Sequence, residues 1–435
     1  MTADRPGARG ERVGGPPALA VVVAFALGLL ASMPGVGAPQ SLSYQYRGAL
    51  ANELTYRSLR SDSLLNPQNR ILDLSAFSDR VVGDLDLRAS VPGVADAVFR
   101  DRAFYLTGNG SLDGFQNTVE EAYLRFRFGS ALLAEIGKRS LPEGVAYSFN
   151  PVDFLRVPTD LPGTDPDPAQ FREHRPGQYL VRLLADVGPL TLSALYAPRL
   201  PDVDSPFINE EHQFLLKVYS LIRGHDVSLY LYRGTRWKGG ASWATVIGRA
   251  LELHAEASLQ RGSDAKVPVA SVIPGDAPFH FRRENGDDLI PRAVVGGQYT
   301  FGNGVNVIAE YFYNGQGYSR AEFSRYFQFL DAAADGTLRG AAALGEATRN
   351  LESVQGQHFF FARLGDILLP MKVRLVAFGV LNLEDGSHLV SSEVSRDWGD
   401  LRVTVGYDGF LGSRRSQFGS LPVAQQVRFF VRYFF

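Results

Sequence analysis

The chain has 435 residues, no Cys, a formal net charge of −2, 11% aromatic and 21% charged residues. Without Cys there is no disulfide framework, no thiolate chemistry and no motif for covalent haem attachment, and a near-neutral charge argues against nucleic acid as a partner. Beyond the N-terminal segment no run of about 18 apolar residues occurs, which excludes helical membrane spans.

Residues 1–18 carry Arg5, Arg9 and Arg12 and lead into Ala18–Ala31, an apolar run of Ala, Val, Leu and Phe. That run is too short for a comfortable span and is followed by Val36-Gly37-Ala38, a small-residue cleavage site. The pattern predicts a signal peptide over 1–38 and a mature domain over 39–435. A retained anchor is the competing reading, and the length of the run speaks against it.

Strand patterning then repeats to the end of the chain. Alternation and turn residues predict strands at 43–57, 79–90, 99–107, 118–128, 132–139, 178–187, 189–197, 211–221, 226–234, 240–248, 250–261, 292–301, 304–314, 356–365, 371–382, 387–397, 400–410 and 424–435. That is about 18 strands, with 16 as the alternative. Tight connections (Gly129-Ser130, Gly188, Arg223-Gly224-His225, Gly248-Arg249, Gly302-Asn303, Trp398-Gly399) alternate with long ones (140–177, 262–291, 315–355). Short turns at one end and long loops at the other are the pattern of a barrel that crosses a membrane. In hydrocarbon only closure pairs every backbone N–H and C=O of a sheet. The expected fold is therefore all-β, a transmembrane antiparallel up-and-down β-barrel, with a short helix in a long extracellular loop. Phe323, Tyr326, Phe327 and Leu330 recur at helical spacing after Ser319, a candidate N-cap.

The faces follow from the period of two. In 250–261, Leu251, Leu253, Ala255, Ala257 and Leu259 fall on one face and Glu252, His254, Glu256, Ser258 and Gln260 on the other. If the apolar face meets lipid, the lumen is lined by charges of both signs, with a modest cationic excess. Candidate pore-lining residues are Arg125, Arg127, Glu252, Glu256, Glu310, Lys372, Arg374, Arg402, Arg428 and Arg432. Cross-strand pairing that merely keeps the wall wetted is an equally good reading of these charges.

The last strand alternates Val427, Phe429, Val431, Tyr433 and Phe435 against Arg428 and Arg432. Ending on Phe with apolar residues at every second position, it resembles the C-terminal assembly signal of Gram-negative outer-membrane β-barrels. The stretch 136–155 is similar to a strand-to-loop segment of porin-like outer-membrane proteins at Gly137, Lys138, Arg139, Gly144, Asn150, Pro151 and Asp153. It departs at Glu143, where those families often carry Trp, so no subfamily follows. These resemblances imply residence in the bacterial outer membrane, contact with its lipid and lipopolysaccharide, and recognition by the barrel-assembly machinery. They leave homo-oligomerisation open. Within the loop, Tyr147, Phe149 and Phe154 call for burial, and with Asn150 and Asp153 they form a candidate constriction if the loop folds back into the barrel. An outer loop packed on its neighbours is the alternative.

Other chemistry finds no support. Asp160, Asp165 and Asp167, and Asp287-Asp288, lack EF-hand spacing. Glu252, His254 and Glu256 stand about 6.6 Å apart along a strand, too wide for one ion. There is no Gly-x-Ser-x-Gly. The expectation is a channel, not an enzyme, with no cofactor and no metal, passing small hydrophilic solutes by diffusion with a weak anion preference. A barrel sheath around an electron-carrying cytochrome is the second reading, and an outer-membrane hydrolase the third.

Overall fold

The computed structural model describes residues 42–110, 113–155, 174–200, 209–270, 279–283, 286–334, 338–349 and 356–435. The expected signal segment and the acidic positions 160, 165 and 167 lie outside these residues. The strands are β1 (Ser43–Leu59), β2 (Phe77–Val91), β3 (Ala95–Thr107), β4 (Gly114–Phe128), β5 (Leu132–Arg139), β6 (Gln178–Val187) and β7 (Leu190–Ala197). Next come β8 (Gln213–Ile222), β9 (His225–Arg233), β10 (Trp237–Ile247), β11 (Leu251–Arg261), β12 (Lys266–Ala270), β13 (Phe279–Arg283) and β14 (Leu289–Thr300). The last six are β15 (Asn306–Asn314), β16 (His358–Leu369), β17 (Val373–Asn382), β18 (His388–Trp398), β19 (Leu401–Leu411) and β20 (Val423–Phe434).

Eighteen of these make one antiparallel sheet in chain order, and β1 pairs with β20 to close it. Closure leaves no edge strand, and hence no row of unpaired backbone groups. At the seam Leu54 lies opposite Phe429 and Leu50 opposite Tyr433. The Phe435 N–H donates to the Gly48 carbonyl at 3.0 Å, and the Gly48 N–H returns to the Phe435 carbonyl at 2.9 Å. The ring of Phe435 lies where a side chain at 48 would be: a Cβ there would sit 2.3 Å from it.

The two faces of the sheet have opposite chemistry. On β20, Val427, Phe429 and Tyr433 are 42–49% exposed while Arg428 is 3% exposed. On β11, Ala257 and Leu259 are exposed while His254, Glu256, Ser258 and Gln260 are buried. A water-soluble sheet would be the reverse. Aromatic pairs ring the outward face at its two ends, Tyr56 with Phe77 and Tyr196 with Phe214 at the loop end, Tyr299 with Phe301 and Tyr433 with Phe435 at the turn end. Such girdles mark the two interfaces of a membrane barrel.

Three local features depart from the expectation. β3 starts at Ala95, and a bulge opposite Arg100–Asp101 lets Glu120 and Glu121 both meet arginines on β3. The connection 262–291 contains its own hairpin, β12 with β13. The expected single helix is two, α1 (Arg320–Ala333) and α2 (Leu338–Arg349). Ser319 does cap α1: its hydroxyl accepts from the Glu322 N–H, and Glu322 accepts from the Ser319 N–H at 2.7 Å, a capping box. The aromatic face of α1 buries Phe323, Tyr326, Phe327 and Leu330 against Leu344 of α2, Leu64 and Leu65 of the β1–β2 loop, and Val267 of β12. Because β1 and β11 stand nearly opposite in the strand order, this small core reaches across the loop end of the barrel. Arg60 ties the same end to the seam by donating to the carbonyls of Phe410, Phe418 and Gly419. Burial lowers the pKa of its guanidinium.

Candidate functional site: the lumen and the segment folded into it

After β5 the chain turns inward. At Gly137 the backbone is left-handed (φ 133°), and a Cβ there would stand 2.3 Å from the Ala122 carbonyl, so only Gly allows β5 to approach β4 this closely. Residues 141–155 then run along the inner wall from one side to the other. Leu141, Val152 and Leu155, with Phe154 partly buried beside them, pack on the inward side chains of β6–β9, namely Leu180, Leu195, Leu215, Tyr230 and Tyr232. Ala146, Tyr147 and Phe149 pack on the inward side chains of β14–β16. Tyr147 stacks on Phe361 at 5.6 Å between centroids, and Phe149 on Phe312 at 4.6 Å.

Between these apolar contacts the segment's backbone is gripped by two wall carboxylates. Glu256 of β11 accepts the N–H groups of Val145 and Ala146, the latter at 2.7 Å, and the Asn150 amide at 3.1 Å. Glu310 of β15 accepts the N–H of Tyr147 at 2.6 Å and of Ser148 at 2.8 Å, the Ser148 hydroxyl, and His254 Nε2 at 2.8 Å. These are charge-assisted hydrogen bonds in a covered site, the strong kind. Gly144 makes the approach feasible, since a Cβ at that position would lie 2.5 Å from the Glu256 carboxylate. The Asn150 amide also donates to the Ala146 carbonyl at 2.7 Å, closing the turn. Asp153 pairs with Arg175, and both are almost fully buried. Glu143, the odd residue of the motif, pairs with Lys217 of β8 at 2.5 Å, and that ammonium lies 5.2 Å from the centre of the Tyr230 ring.

The rest of the wall is held by ion pairs between strands. Arg80 pairs with Glu53; Arg102 lies 3.4 Å from Asp84; Arg100 lies 3.3 Å from Asp86 and 3.6 Å from Glu121. Arg127 reaches Asp96 at 2.6 Å, and Arg125 bridges Asp96 and Glu135. Among β18–β20 Arg428 meets Asp408 at 2.7 Å and Glu393 at 3.0 Å, while Arg402 meets Asp397 at 2.6 Å. Arg432 is the cross-strand neighbour of Arg402, and Arg374 shares their inward face towards the turn end.

The candidate pore-lining residues thus fall into two sets and one outlier. Glu256 and Glu310 bind the inward segment, with Glu252 half-exposed beside His254. Arg125, Arg127, Arg374, Arg402, Arg428 and Arg432 stand on the inward face. Lys372 belongs to neither set: it sits on the exposed turn 370–372, because Pro370 ends β16 and β17 begins only at Val373. Sequence reasoning missed Arg175, whose role depends on a fold-back, and the apolar inner wall formed by Ile308, Phe312, Phe359 and Phe361. Its signal was present: 306–313 and 358–361 are nearly continuous apolar runs, the mark of strands covered on both faces. Among the described residues no group of His, Asp and Glu could hold a metal ion. Ser148, Glu310 and His254 do converge, but the carboxylate stands between the hydroxyl and the imidazole, whereas a hydrolytic triad needs the imidazole in the middle.

No family model matches the sequence, and no curated protein matches it. The fold, by contrast, is similar to solved structures. OccAB1 of Acinetobacter baumannii aligns with a TM-score of 0.52 and 11% identity over 90% of this chain and 96% of that one. OccAB4 of the same organism gives 0.50 and 9% over 92% and 100%. OccK2 (OpdF) of Pseudomonas aeruginosa gives 0.50 and 11% over 90% and 97%. At such identities the likeness is one of architecture, and with the closed 18-strand sheet, its apolar coat and its aromatic girdles it makes this fold that of a porin-like outer-membrane β-barrel.

Proposed function

We propose that the protein is a passive channel of the bacterial outer membrane for small hydrophilic solutes. In this reading segment 1–38 directs export, the outward aromatic face of the last strand is read by the barrel-assembly machinery, and lipid and lipopolysaccharide surround the coat. The observation that carries it is the placement of 141–155: the segment covers one side of the inner wall and leaves the ion pairs of the other side partly open, Arg88 to 48% and Arg127 to 33%. A lumen narrowed by one short segment, with a wetted charged wall beside it, conducts and sorts small solutes. Arg374, Arg402 and Arg432 near the turn end favour weak anion selectivity. A sheath around a cytochrome would need the space that 141–155 takes, and the hydrolase reading lacks a properly ordered triad.

Purified protein in a planar bilayer tests the proposal. Stepwise ohmic conductance with a reversal potential shifted slightly towards the anion side in a salt gradient is the expected result. Absence of conductance from correctly inserted barrels overturns it.

A further inference from the structure

Closure is complete between the aromatic girdles. Beyond the one at the turn end, β1 keeps a free edge. The pairing of β1 with β20 stops at Gly48, whose N–H and C=O both bond to Phe435. From there β1 runs on to Ser43 beside β2 alone, with residues 43–47 opposite Ser90 to Asp86. These five residues span about 17 Å, at about 3.4 Å each, and all of them are exposed, on both faces of the strand. Main-chain groups of successive strand residues point to opposite sides. Since those of Gly48 point to the β20 side, so do those of Tyr46 and Tyr44, and among the described residues no strand lies there to meet them. The side chains of Tyr44 and Tyr46 are 64% and 70% exposed and stand beyond the Tyr433–Phe435 pair of the girdle. On the other face Arg47 lies opposite Asp86, a carboxylate already held by Arg88 at 3.0 Å and Arg100 at 3.3 Å. Among the described residues Arg47 has no ion pair of its own.

We infer that residues 43–47 are a docking edge for an extended segment of a periplasmic protein, which adds as a strand in the column that β20 leaves vacant. The inference goes beyond the channel reading and takes from it only the compartment that the turn end faces. Main-chain bonds to Tyr44 and Tyr46 hold the incoming strand, and its alternate side chains decide which segment fits. One set falls beside Tyr44 and Tyr46 and is apolar; the other falls beside Gln45 and Arg47 and carries a carboxylate. Opposite charges, and aromatic with β-branched side chains, are the favoured neighbours across strands. An edge left bare in water is a template for pairing, and this one is short, lies outside the hydrocarbon and carries an uncompensated cation that turns away basic segments.

The probe is an acetylated octapeptide of alternating Val and Glu, with its Val and Lys counterpart as the charge-reversed control, added to the full chain in lipid nanodiscs. The Glu peptide binds saturably and the Lys peptide about tenfold more weakly or not at all. As the Glu peptide binds, the amides of Tyr44 and Tyr46, fast to exchange in the free barrel, become protected. Tyr46→Pro removes an N–H that points into the vacant column and leaves the ladder to β2 intact, at an edge position where Pro is tolerated. It weakens binding at least about tenfold, with single-channel conductance unchanged, whereas Tyr46→Thr, which keeps the N–H, still binds. Absence of binding, equal binding of the two peptides, or binding that survives Tyr46→Pro overturns the inference. So does protection of both amides before any peptide is added, which means that the chain itself fills the column, through its residues before 42 or a second copy. A barrel that binds the peptide without conducting overturns the channel reading and leaves the edge standing.

Discussion

Along β18–β20 and β1–β5 the inward face carries most of the ion pairs, which join neighbouring strands. Along β6–β9 and β14–β16 it presents aromatic and aliphatic side chains, and the chain itself covers them with 141–155. Beneath the segment the gripping groups are sealed: Glu310 is fully buried and His254 is 3% exposed, whereas Glu252, one step further along β11, stays half-exposed. On the ion-paired side Arg100 and Arg127 keep about a third of their surface. The same barrel thus holds carboxylates in two states. Covered, they act as clamps for backbone N–H groups; open, they are half of a wetted lining. At Glu256 and Glu310 the cover is the segment 141–155; at Asp408, on the ion-paired side, it is Ser391, Gln426 and Arg428 of the wall itself.

The strongest way to break the comparison is to remove the cover. Replacing 142–154 by a Gly-Ser linker exposes Phe312, Phe359 and Phe361 to the lumen, and single-channel conductance should rise severalfold with loss of the salt-bridged side's influence on selectivity. Unchanged conductance would mean that 141–155 does not narrow the path. Next in size are changes that leave a buried charge alone. Arg428→Ala strands Asp408, which is 0% exposed, and Asp153→Ala strands Arg175; each should cost about 3–5 kcal/mol, read as a lowered unfolding midpoint in detergent. The two should part in conductance, since Asp153→Ala loosens the segment and raises open-channel noise while Arg428→Ala leaves the segment in place.

Much of this was legible in the residues. All eighteen barrel strands were expected within a few residues of where they lie, because lipid outside and charge inside impose an alternation that composition alone reveals, as at Leu251–Gln260 and Leu401–Asp408. The periodicity failed where a strand is covered on both faces. At Ile308, Phe312 and Phe359 the inward side is apolar around the single carboxylate of Glu310, and the segment that covers it is distant in sequence. The grip of Glu256 on Val145 and Ala146 joins positions more than a hundred residues apart, and only the folded barrel brings them together. Lys372 shows the converse error: a charge beside a strand was read as part of it, although Pro370 had already ended the ladder.

The exposed pairs sharpen the contrast from the other side. Arg127→Ala removes a partner of Asp96 that is one-third open to the lumen, and an exposed pair is worth about 0–1 kcal/mol. Thermal unfolding should hardly move, yet the anion preference should fall, because the wall loses a positive charge facing the permeating ion. A loss of stability as large as that of Arg428→Ala would erase the distinction between the open and sealed charges.

The smallest effect belongs to the loop end. Asp331 of α1 meets Arg415 at 2.6 Å and Arg414 at 3.7 Å, and both arginines are more than half exposed. The packing of Phe323, Tyr326 and Leu330 on Leu64 and Leu65 is untouched by Asp331→Ala, so the helical pair should stay across the mouth and conductance should stay as it is. What changes is the local field on the loop side. Loss of one carboxylate beside two arginines should raise the entry rate of anions from that side alone, and the gain should disappear at high salt as screening removes the field. Measuring current asymmetry at low and high ionic strength separates this from a change in the lumen, where the covered clamps and the open pairs would respond equally to solutes from either side.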